Sequence, residues 1–244
     1  MRQIQDRGRL VAAVGRDLLG WGYLDPATNQ LKGFDIDMAR LIARAIFGDD
    51  QHIEFKLVTV PQRFTSAANG TVDVTVYQNT ITCARWQIAA FSSVYYDAGQ
   101  RVLVPRYSTA TSINDLGGRR VCGPAGSTSI DNIGKVPTHP VPVAVDDPAD
   151  CLVLLQEGRV DAVSTDDTLL SGFAAQDPYV KVVGPKMSDE PYGIASSLEH
   201  PEFVRFVNAV LEQVRANGTW TAEYNRWLGS LGPAPPPPAA KYRD

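Results

Sequence analysis

Strand-like and helix-like segments alternate along the first third of the chain, and this alternation constrains the fold more than any other feature. An apolar run at Arg9–Val14 is followed by helical spacing of apolar residues over Gly33–Phe47 and by a second run at Ile53–Val60. A short helix ending at Gly70 and a third β-branched run at 72–76 continue the order. Such alternation predicts a parallel sheet flanked by helices, so we expect an α/β fold.

Basic and polar residues follow the predicted strands, at the edge of the sheet where α/β proteins bind their ligands. Arg16 comes just after the first strand, Arg63 lies at the start of the helix after the second strand, and the segment Gln78–Arg85 follows the third. A guanidinium group offers a planar fork of donors to a carboxylate, and hydroxyls such as that of Thr80 complete such a site. Three arginines at one edge therefore predict a cleft for a carboxylate-bearing ligand.

The second half of the chain repeats the alternation and adds two candidate positions. The strand Arg119–Cys122 leads into a glycine-containing turn with Ser127 and Thr128, followed by a helix. The N–H groups at such a helix start can bind an anion, but Ser and Thr are also ordinary helix caps, so both interpretations stand. Asp166 follows another strand, where it could receive a cation or cap the next helix.

Composition and missing motifs narrow the function classes. The chain has 44% apolar and 20% charged residues and a formal net charge of −4, which argues against a nucleic-acid partner. No apolar run approaches the ~20 residues of a membrane span. The charged start MRQIQDRGRL lacks the apolar part of a leader, which leaves open a cytosolic protein or a mature exported domain. Common nucleotide, metalloprotease and serine-hydrolase motifs are absent, so we predict no catalysis, metal or cofactor.

The three cysteines are Cys83, Cys122 and Cys151. They form no CxxC motif, which argues against a zinc site. One disulfide with one free thiol and three buried thiols both fit the residues alone.

Several separated motifs, spread from about Arg9 to Gly229, resemble the extracytoplasmic solute-binding proteins (family 3) of ABC transporters that carry polar amino acids. The resemblance lies in GFDIDMA (33–39), NGTVDV (69–74), TITCAR (80–85), FSSVYYDAGQRVLV (91–104), EPYGIA (190–195) and NGTWTAEYNRWLG (217–229). It implies a two-lobe, type II periplasmic-binding-protein-like fold, with each lobe a mixed sheet flanked by helices. Two crossing strands form the hinge, and the ligand is trapped when the lobes close.

The resemblance also implies a division of the chain. Lobe 1 is expected at 1–104 and 190–230, and lobe 2 at 105–189. The proline-rich segment 231–244 is predicted to be an extended, disordered tail.

The family pattern implies which residues bind the backbone groups of the ligand. Arg85 is expected to bind the α-carboxylate, assisted by Thr80. The backbone of Ser127 and Thr128 is expected to contribute to the same carboxylate. Asp166 is expected to receive the α-ammonium group.

The same pattern implies how the ligand side chain is chosen. Arg16 and Arg63 match positions that meet the side-chain carboxylate in the glutamate/aspartate-binding branch. Glutamine binders usually carry an acidic residue near the place of Gly15, so this chain resembles the acidic branch more. Gln78 is expected to meet the ammonium group through its carbonyl or side chain, but the family often has Gly there, so Gln78 would shorten the pocket. Aspartate, glutamate, asparagine and glutamine are therefore the expected ligands.

Within this family, the chain resembles the actinobacterial-looking lipoproteins that bind glutamine or glutamate. That resemblance implies a Cys122–Cys151 disulfide with Cys83 free. It further implies a monomer at the cell surface or in the periplasm, made with a signal peptide and anchored by a lipid on a cysteine upstream of this chain. The partner would be an ABC permease or a membrane sensor. A ligand-sensing domain of a signalling complex would share every site residue. A cyclohexadienyl-dehydratase-like enzyme on this fold would need a general acid beside Arg85, and the sequence offers none.

Overall fold

The computed structural model of the protein describes residues 1–242, so the predicted tail 231–244 ends outside the described residues at Arg243 and Asp244. The chain forms two compact units, each discontinuous in sequence. Unit 1 comprises Met1–Val58, Gln62–Asp97 and the chain from Pro191 onward; unit 2 comprises Thr59–Pro61 and Ala98–Glu190.

The helices and strands of the described residues are numbered in chain order. The helices are α1 (Arg2–Arg7), α2 (Phe34–Phe47), α3 (Arg63–Ala68), α4 (Thr128–Ile133), α5 (Ala149–Gln156), α6 (Asp167–Gln176), α7 (Pro201–Ala216) and α8 (Thr219–Trp227). The strands are β1 (Leu10–Val14), β2 (Asp17–Leu18), β3 (Gly22–Asp25), β4 (Gln30–Lys32), β5 (Ile53–Leu57), β6 (Val74–Thr75), β7 (Ala90–Phe91), β8 (Tyr96–Pro105), β9 (Arg120–Pro124), β10 (Val141–Val145), β11 (Ala162–Asp166), β12 (Val180–Val183), β13 (Asp189–Tyr192) and β14 (Ala195–Ser196).

The main sheet of unit 1 has the strand order β5-β1-β6-β14-β7. Strand β1 pairs in parallel with β5 and with β6, which confirms the parallel pairing predicted for the first three strands. Strand β14 is antiparallel to both β6 and β7, so the sheet is mixed. The alternation of helices and strands could not show this, because β14 enters the sheet only after the chain has returned from unit 2.

A second, three-stranded antiparallel sheet in the order β2-β3-β4 lies between β1 and α2 in the sequence. We expected a loop over most of this stretch, with a turn at 25–30. The turn is present between β3 and β4. The strands were missed because they are only two to four residues long, which gives them too little apolar alternation to detect.

Helix α2 begins where only glycine fits. Gly33 has a φ of 133°, and a Cβ at this position would lie 2.2 Å from the carbonyl oxygen of Trp21. The helix then buries Phe34 against the Trp21 ring at 5.6 Å and against the Trp220 ring of α8 at 5.8 Å, measured between ring centroids. The start of α2 is thus fixed by the aromatic core of unit 1, a point that matters for Asp35 in its first turn.

The sheet of unit 2 has the order β10-β9-β11-β8-β12, with β13 paired to β8. Strands β9, β10 and β11 are parallel, and β8 runs antiparallel to β11 and β12. Because β8 pairs over Gln100–Pro105 with strands of unit 2, the change of unit lies at Asp97–Ala98 rather than after Val104, where the sequence placed it. The return to unit 1 lies at Glu190–Pro191.

A disulfide links Cys122 of β9 to Cys151 of α5, with their Cα atoms 5.5 Å apart, and Cys83 is free and exposed. The pairing implied by the family resemblance is confirmed. Both bonded cysteines are buried, so the bridge joins a strand to a helix inside the core of unit 2.

Candidate functional site

Arg85 and Thr80 lie together in the segment that follows β6. The Nη1 group of Arg85 donates a hydrogen bond of 2.8 Å to the carbonyl oxygen of Thr80. Thr80 is held in turn by an isolated antiparallel bridge to Tyr192. Both side chains are largely buried, at 8% and 4% exposure, so the guanidinium group is held against the main chain of its own loop.

Arg63, in the first turn of α3, occupies the same neighbourhood. Its guanidinium carbon lies 5.0 Å from the centroid of the Phe64 ring, and that of Arg85 lies 4.8 Å from the same ring. A ring face attracts a cation without neutralising it, and this effect is strongest where water is excluded. Phe64 therefore brings two guanidinium groups together, a role that the sequence did not reveal because one aromatic residue in a helix usually indicates core.

Arg63 also holds the loop that leads to Thr80. Its Nη1 group donates to the carbonyl oxygens of Tyr77 at 2.9 Å and of Gln78 at 3.1 Å. Gln78 has a φ of 46°, a left-handed conformation that is uncommon for a residue other than glycine. Its side chain is buried, and its Nε2 group has no hydrogen-bond partner among the described residues.

Arg16 differs from the other two arginines because its side chain is exposed. It follows Gly15 at the end of β1, and its carbonyl oxygen accepts a hydrogen bond from the N–H of Leu24. The structure thus does not place Arg16 in the buried guanidinium cluster. The neighbouring Gly15 is covered by the Tyr77 ring, since a Cβ on it would lie 2.4 Å from Cε2 of that ring.

In unit 2, Ser127 caps α4. Its hydroxyl accepts a hydrogen bond of 3.2 Å from the N–H of Ile130 and donates one of 2.6 Å to the carbonyl oxygen of Pro124. The capping interpretation is therefore correct for this side chain. The hydroxyl of Thr128 donates to the Glu190 carboxylate at 2.7 Å, so its remaining capacity is that of an acceptor.

Asp166 ends β11 with its side chain buried, and the hydroxyl of Ser129 donates toward its Oδ1 at 3.4 Å. The adjacent Asp167 points elsewhere: its carboxylate accepts from the N–H of Gly99 and pairs with Lys186 at 3.3 Å. Of the two neighbouring acids, Asp166 is the one that lies near Ser129 in the first turn of α4.

Two buried acids of this chain, Asp35 and Glu190, were not among the site residues predicted from the sequence. Asp35, in the first turn of α2, is 1% exposed, and burial raises its pKa from 3.8 to about 7 despite hydrogen bonds from Tyr95 and Gln78 and the nearby charge of Arg63. Glu190 is 2% exposed and accepts from the hydroxyls of Thr128 and Ser188. A buried acid in an otherwise apolar helical stripe was the available signal for Asp35, and Glu190 had none.

Within residues 1–242 no helix is both long and apolar enough to span a membrane. No group of three or more His, Cys, Asp or Glu residues in the same range is arranged to hold a metal ion.

The family model of bacterial extracellular solute-binding proteins, family 3, matches residues 10–230. The chain belongs to this family. A glutamine-binding protein of Geobacillus stearothermophilus is 38% identical over 84% of this chain and 79% of its own length. The ABC transporter glutamine-binding protein GlnH of Bacillus subtilis is 34% identical, with coverages of 92% and 83%.

A more distant relative, the glutamate-binding protein GluB of Corynebacterium efficiens, is 28% identical, covering 92% of this chain and 80% of its own. Among solved structures, an ancestral arginine-binding protein bound to glutamine is 33% identical, with a TM-score of 0.85 over 91% of this chain and 99% of that one. An ancestral arginine-binding protein bound to arginine is 32% identical, also with a TM-score of 0.85 over 91% of this chain and 99% of that one. The type II binding-protein fold of this chain is thus established.

Proposed function

We propose that this family member binds a small polar or acidic amino acid outside the cytoplasm and delivers it to an ABC permease. The observation that carries the proposal is the pair of buried guanidinium groups of Arg63 and Arg85 on one ring, Phe64. Buried guanidinium groups make strong, charge-assisted hydrogen bonds to a carboxylate, so this part of unit 1 favours an anionic group of the ligand.

We assign the backbone groups of the ligand as follows. Arg85 binds the α-carboxylate, because it is already held beside Thr80 by a 2.8 Å hydrogen bond and a planar fork suits a carboxylate. The backbone of Ser127 and Thr128 assists, since their hydroxyls are engaged with Pro124 and Glu190; the N–H of Ser127, now 3.3 Å from the Pro124 carbonyl oxygen, would exchange that long bond for the ligand.

The ammonium group is assigned to acceptors. Asp166 supplies the negative charge, and the carbonyl of Gln78 is a further acceptor. Charge-assisted hydrogen bonds of this kind contribute about 1.5–3 kcal/mol each, so several suffice for a complex of about −8 kcal/mol, the micromolar range.

The side chain of the ligand is the finer part of the proposal. The more similar relatives bind glutamine and the more distant GluB binds glutamate, as their names state. In this chain the Tyr77 ring leaves no room for an acidic side chain at Gly15, and Arg63 adds a positive charge nearby. We therefore propose that aspartate and glutamate bind at least as well as asparagine and glutamine, with Arg16 in a weaker, solvent-exposed role.

We further propose that the protein has no enzymatic activity and acts as a monomer without nucleic acid. It would be anchored to the membrane surface through a lipid on an upstream cysteine. The Cys122–Cys151 disulfide supports an extracytoplasmic location, because such bonds persist in oxidising compartments.

Calorimetric titration with aspartate, glutamate, asparagine and glutamine tests the function. At least one should bind with micromolar or tighter affinity, and Arg85→Ala should weaken it about 100-fold or more, because the ligand carboxylate would be buried without its partner. Arg205→Ala, at an exposed position of α7, is the matched control and should bind like the wild type. If none of the four binds, or if Arg85→Ala matches the control, the proposed function is wrong.

A further inference from the structure

Asp35 lies in the first turn of α2 and is buried, at 1% exposure, yet it reaches the loop that carries Gln78 and Thr80. Its Oδ2 accepts a hydrogen bond of 3.1 Å from the N–H of Gln78, and its Oδ1 accepts one of 2.8 Å from the Tyr95 hydroxyl. The carboxylate therefore has one oxygen on a rigid ring and the other on the main chain of the loop.

The residue it holds is in a conformation that does not form readily by itself. The left-handed φ of Gln78 costs roughly 1 kcal/mol or more for a residue with a side chain, so surrounding contacts must maintain it. Asp35 accepts from the N–H of Gln78, and Arg63 donates to its C=O at 3.1 Å. The peptide groups on both sides of the strained residue are thus held by buried charged side chains.

The far end of the loop is held by main-chain bonds and by the side chains of Asn79 and Arg85. The N–H of Ile81 donates to the carbonyl of Pro191 at 2.8 Å, and the N–H of Gly193 donates to the carbonyl of Asn79 at 3.0 Å. The side chain of Asn79 also donates to the carbonyl of Thr75. Among these contacts of the loop, that of Asp35 depends on an ionisable carboxyl group.

We propose that Asp35 is a positioning residue for ligand binding: its carboxylate keeps Gln78 left-handed and thereby aligns the Gln78 carbonyl, Arg63 and Thr80 for the ligand. The proposal rests on the proposed function, because those three groups are the ones assigned to the amino acid. Asp35 itself does not touch the ligand in this account.

The ionisable groups that face Asp35 within the described residues are Tyr95 and Arg63. Burial and the Asp35 carboxylate raise the pKa of Tyr95 well above its usual value, so Tyr95 stays a neutral donor, and Arg63 stays charged. Asp35 is then the group that changes state near neutral pH, with its pKa raised to about 7 by burial. When it gains a proton on Oδ1, the Tyr95 hydroxyl can rotate to accept it, and Gln78 is left with a weaker, neutral acceptor.

The chain supplies a matched control two residues away. Asp37 lies in the same turn of α2 and is also buried, but its carboxylate accepts from Arg40, Arg226 and the Trp227 indole instead of the loop. Asp35→Asn keeps the shape and leaves a neutral acceptor for Gln78, so it imitates the protonated state. Asp37→Asn makes the same chemical change without reaching Gln78.

The first measurement is the backbone amide resonance of Gln78 in the ligand-free protein between pH 5 and 9. It should titrate with a midpoint near 7 in the wild type and in Asp37→Asn, and should not titrate in Asp35→Asn. Tyr95→Phe removes one donor to the carboxylate and should move the midpoint upward. Titration of Gln78 that persists in Asp35→Asn overturns the proposal.

The second measurement is calorimetric titration with L-glutamate and L-glutamine. Asp35→Asn should weaken binding about five- to tenfold at pH 8 and less than about twofold at pH 5.5, whereas Asp37→Asn should match the wild type at both. Equal losses in the two variants, or a loss independent of pH, overturn the proposal. If the wild type binds neither amino acid, the proposed function fails, and the Gln78 resonance still decides whether Asp35 holds the loop.

Discussion

The candidate residues of the two units are held in different ways. In unit 1, Arg63 and Arg85 donate to main-chain carbonyls and lie on the Phe64 ring. In unit 2, Asp166 and Glu190 accept hydrogen bonds from side-chain hydroxyls. Main-chain partners cannot rotate away, whereas hydroxyls can. The positive charges are therefore preorganised, and the negative charges depend on groups that can adapt to the ligand.

The largest expected effect concerns the stability of unit 1, which contains the preorganised positive charges and Asp35. The raised pKa of Asp35 means that folded protein binds this proton more tightly than unfolded protein. Its contribution to stability is fully present below pH 3.8 and is lost as pH rises through about 7. Between pH 4 and 8, the wild type should lose up to about 4 kcal/mol of unfolding free energy relative to Asp35→Asn.

Urea unfolding of both proteins across this range measures that difference. Comparing the two also cancels Glu223, whose pKa is likewise raised by burial and by Asp37. If the unfolding free energies of the two proteins change in parallel with pH, burial does not raise the pKa of the Asp35 carboxyl group.

The next effect compares neighbouring acids of unit 2. Asp166→Asn should weaken amino-acid binding about 30-fold, because it removes the charge assigned to the ammonium group. Asp167→Asn removes a half-exposed pair with Lys186 and should change affinity less than about twofold. Isothermal titration of both variants with the best ligand is the measurement; equal effects would exclude Asp166 as the ammonium partner.

A third effect concerns selectivity. Arg63→Gln should weaken binding of aspartate and glutamate about tenfold more than that of their amides, since only the acids lose a charge partner. Because Arg63 also donates to Tyr77 and Gln78, a uniform part of the loss is expected for all four ligands. Equal losses for acids and amides would mean that Arg63 acts only on the loop.

The smallest effect concerns a hydroxyl of unit 2. Thr128→Val keeps the shape of the side chain but removes the hydroxyl that donates to Glu190. Binding should weaken about two- to fivefold, because one neutral hydrogen bond contributes roughly 1 kcal/mol. Fluorescence or calorimetric titration measures this change. A loss as large as that of Asp166→Asn would contradict the view that the hydroxyl partners of the unit 2 acids can adapt to the ligand.

Much of the fold and part of the site could be predicted from the sequence. Strands β1, β5 and β6, the helices between them and the edge carrying Arg85 and Thr80 follow from local periodicity. The antiparallel insertion of β14 and the unit boundary near Ala98 depend on pairing between distant segments, which periodicity does not record.

The same limit applies to the buried partners. Phe64 and Asp35 act through contacts made in three dimensions, and their residue types alone indicate ordinary core and an ordinary helix start. The sequence also favoured Arg16 equally with Arg63, although only Arg63 is buried.

The contact between Gly15 and the Tyr77 ring also constrains how this protein could change by mutation. Any side chain introduced at residue 15 would overlap the ring, so that substitution alone damages the fold before it can alter ligand choice. The ring must move or be replaced for residue 15 to carry a side chain. A lineage that acquires an acidic residue at 15 must therefore also change the environment of residue 77, so the two positions are expected to change together.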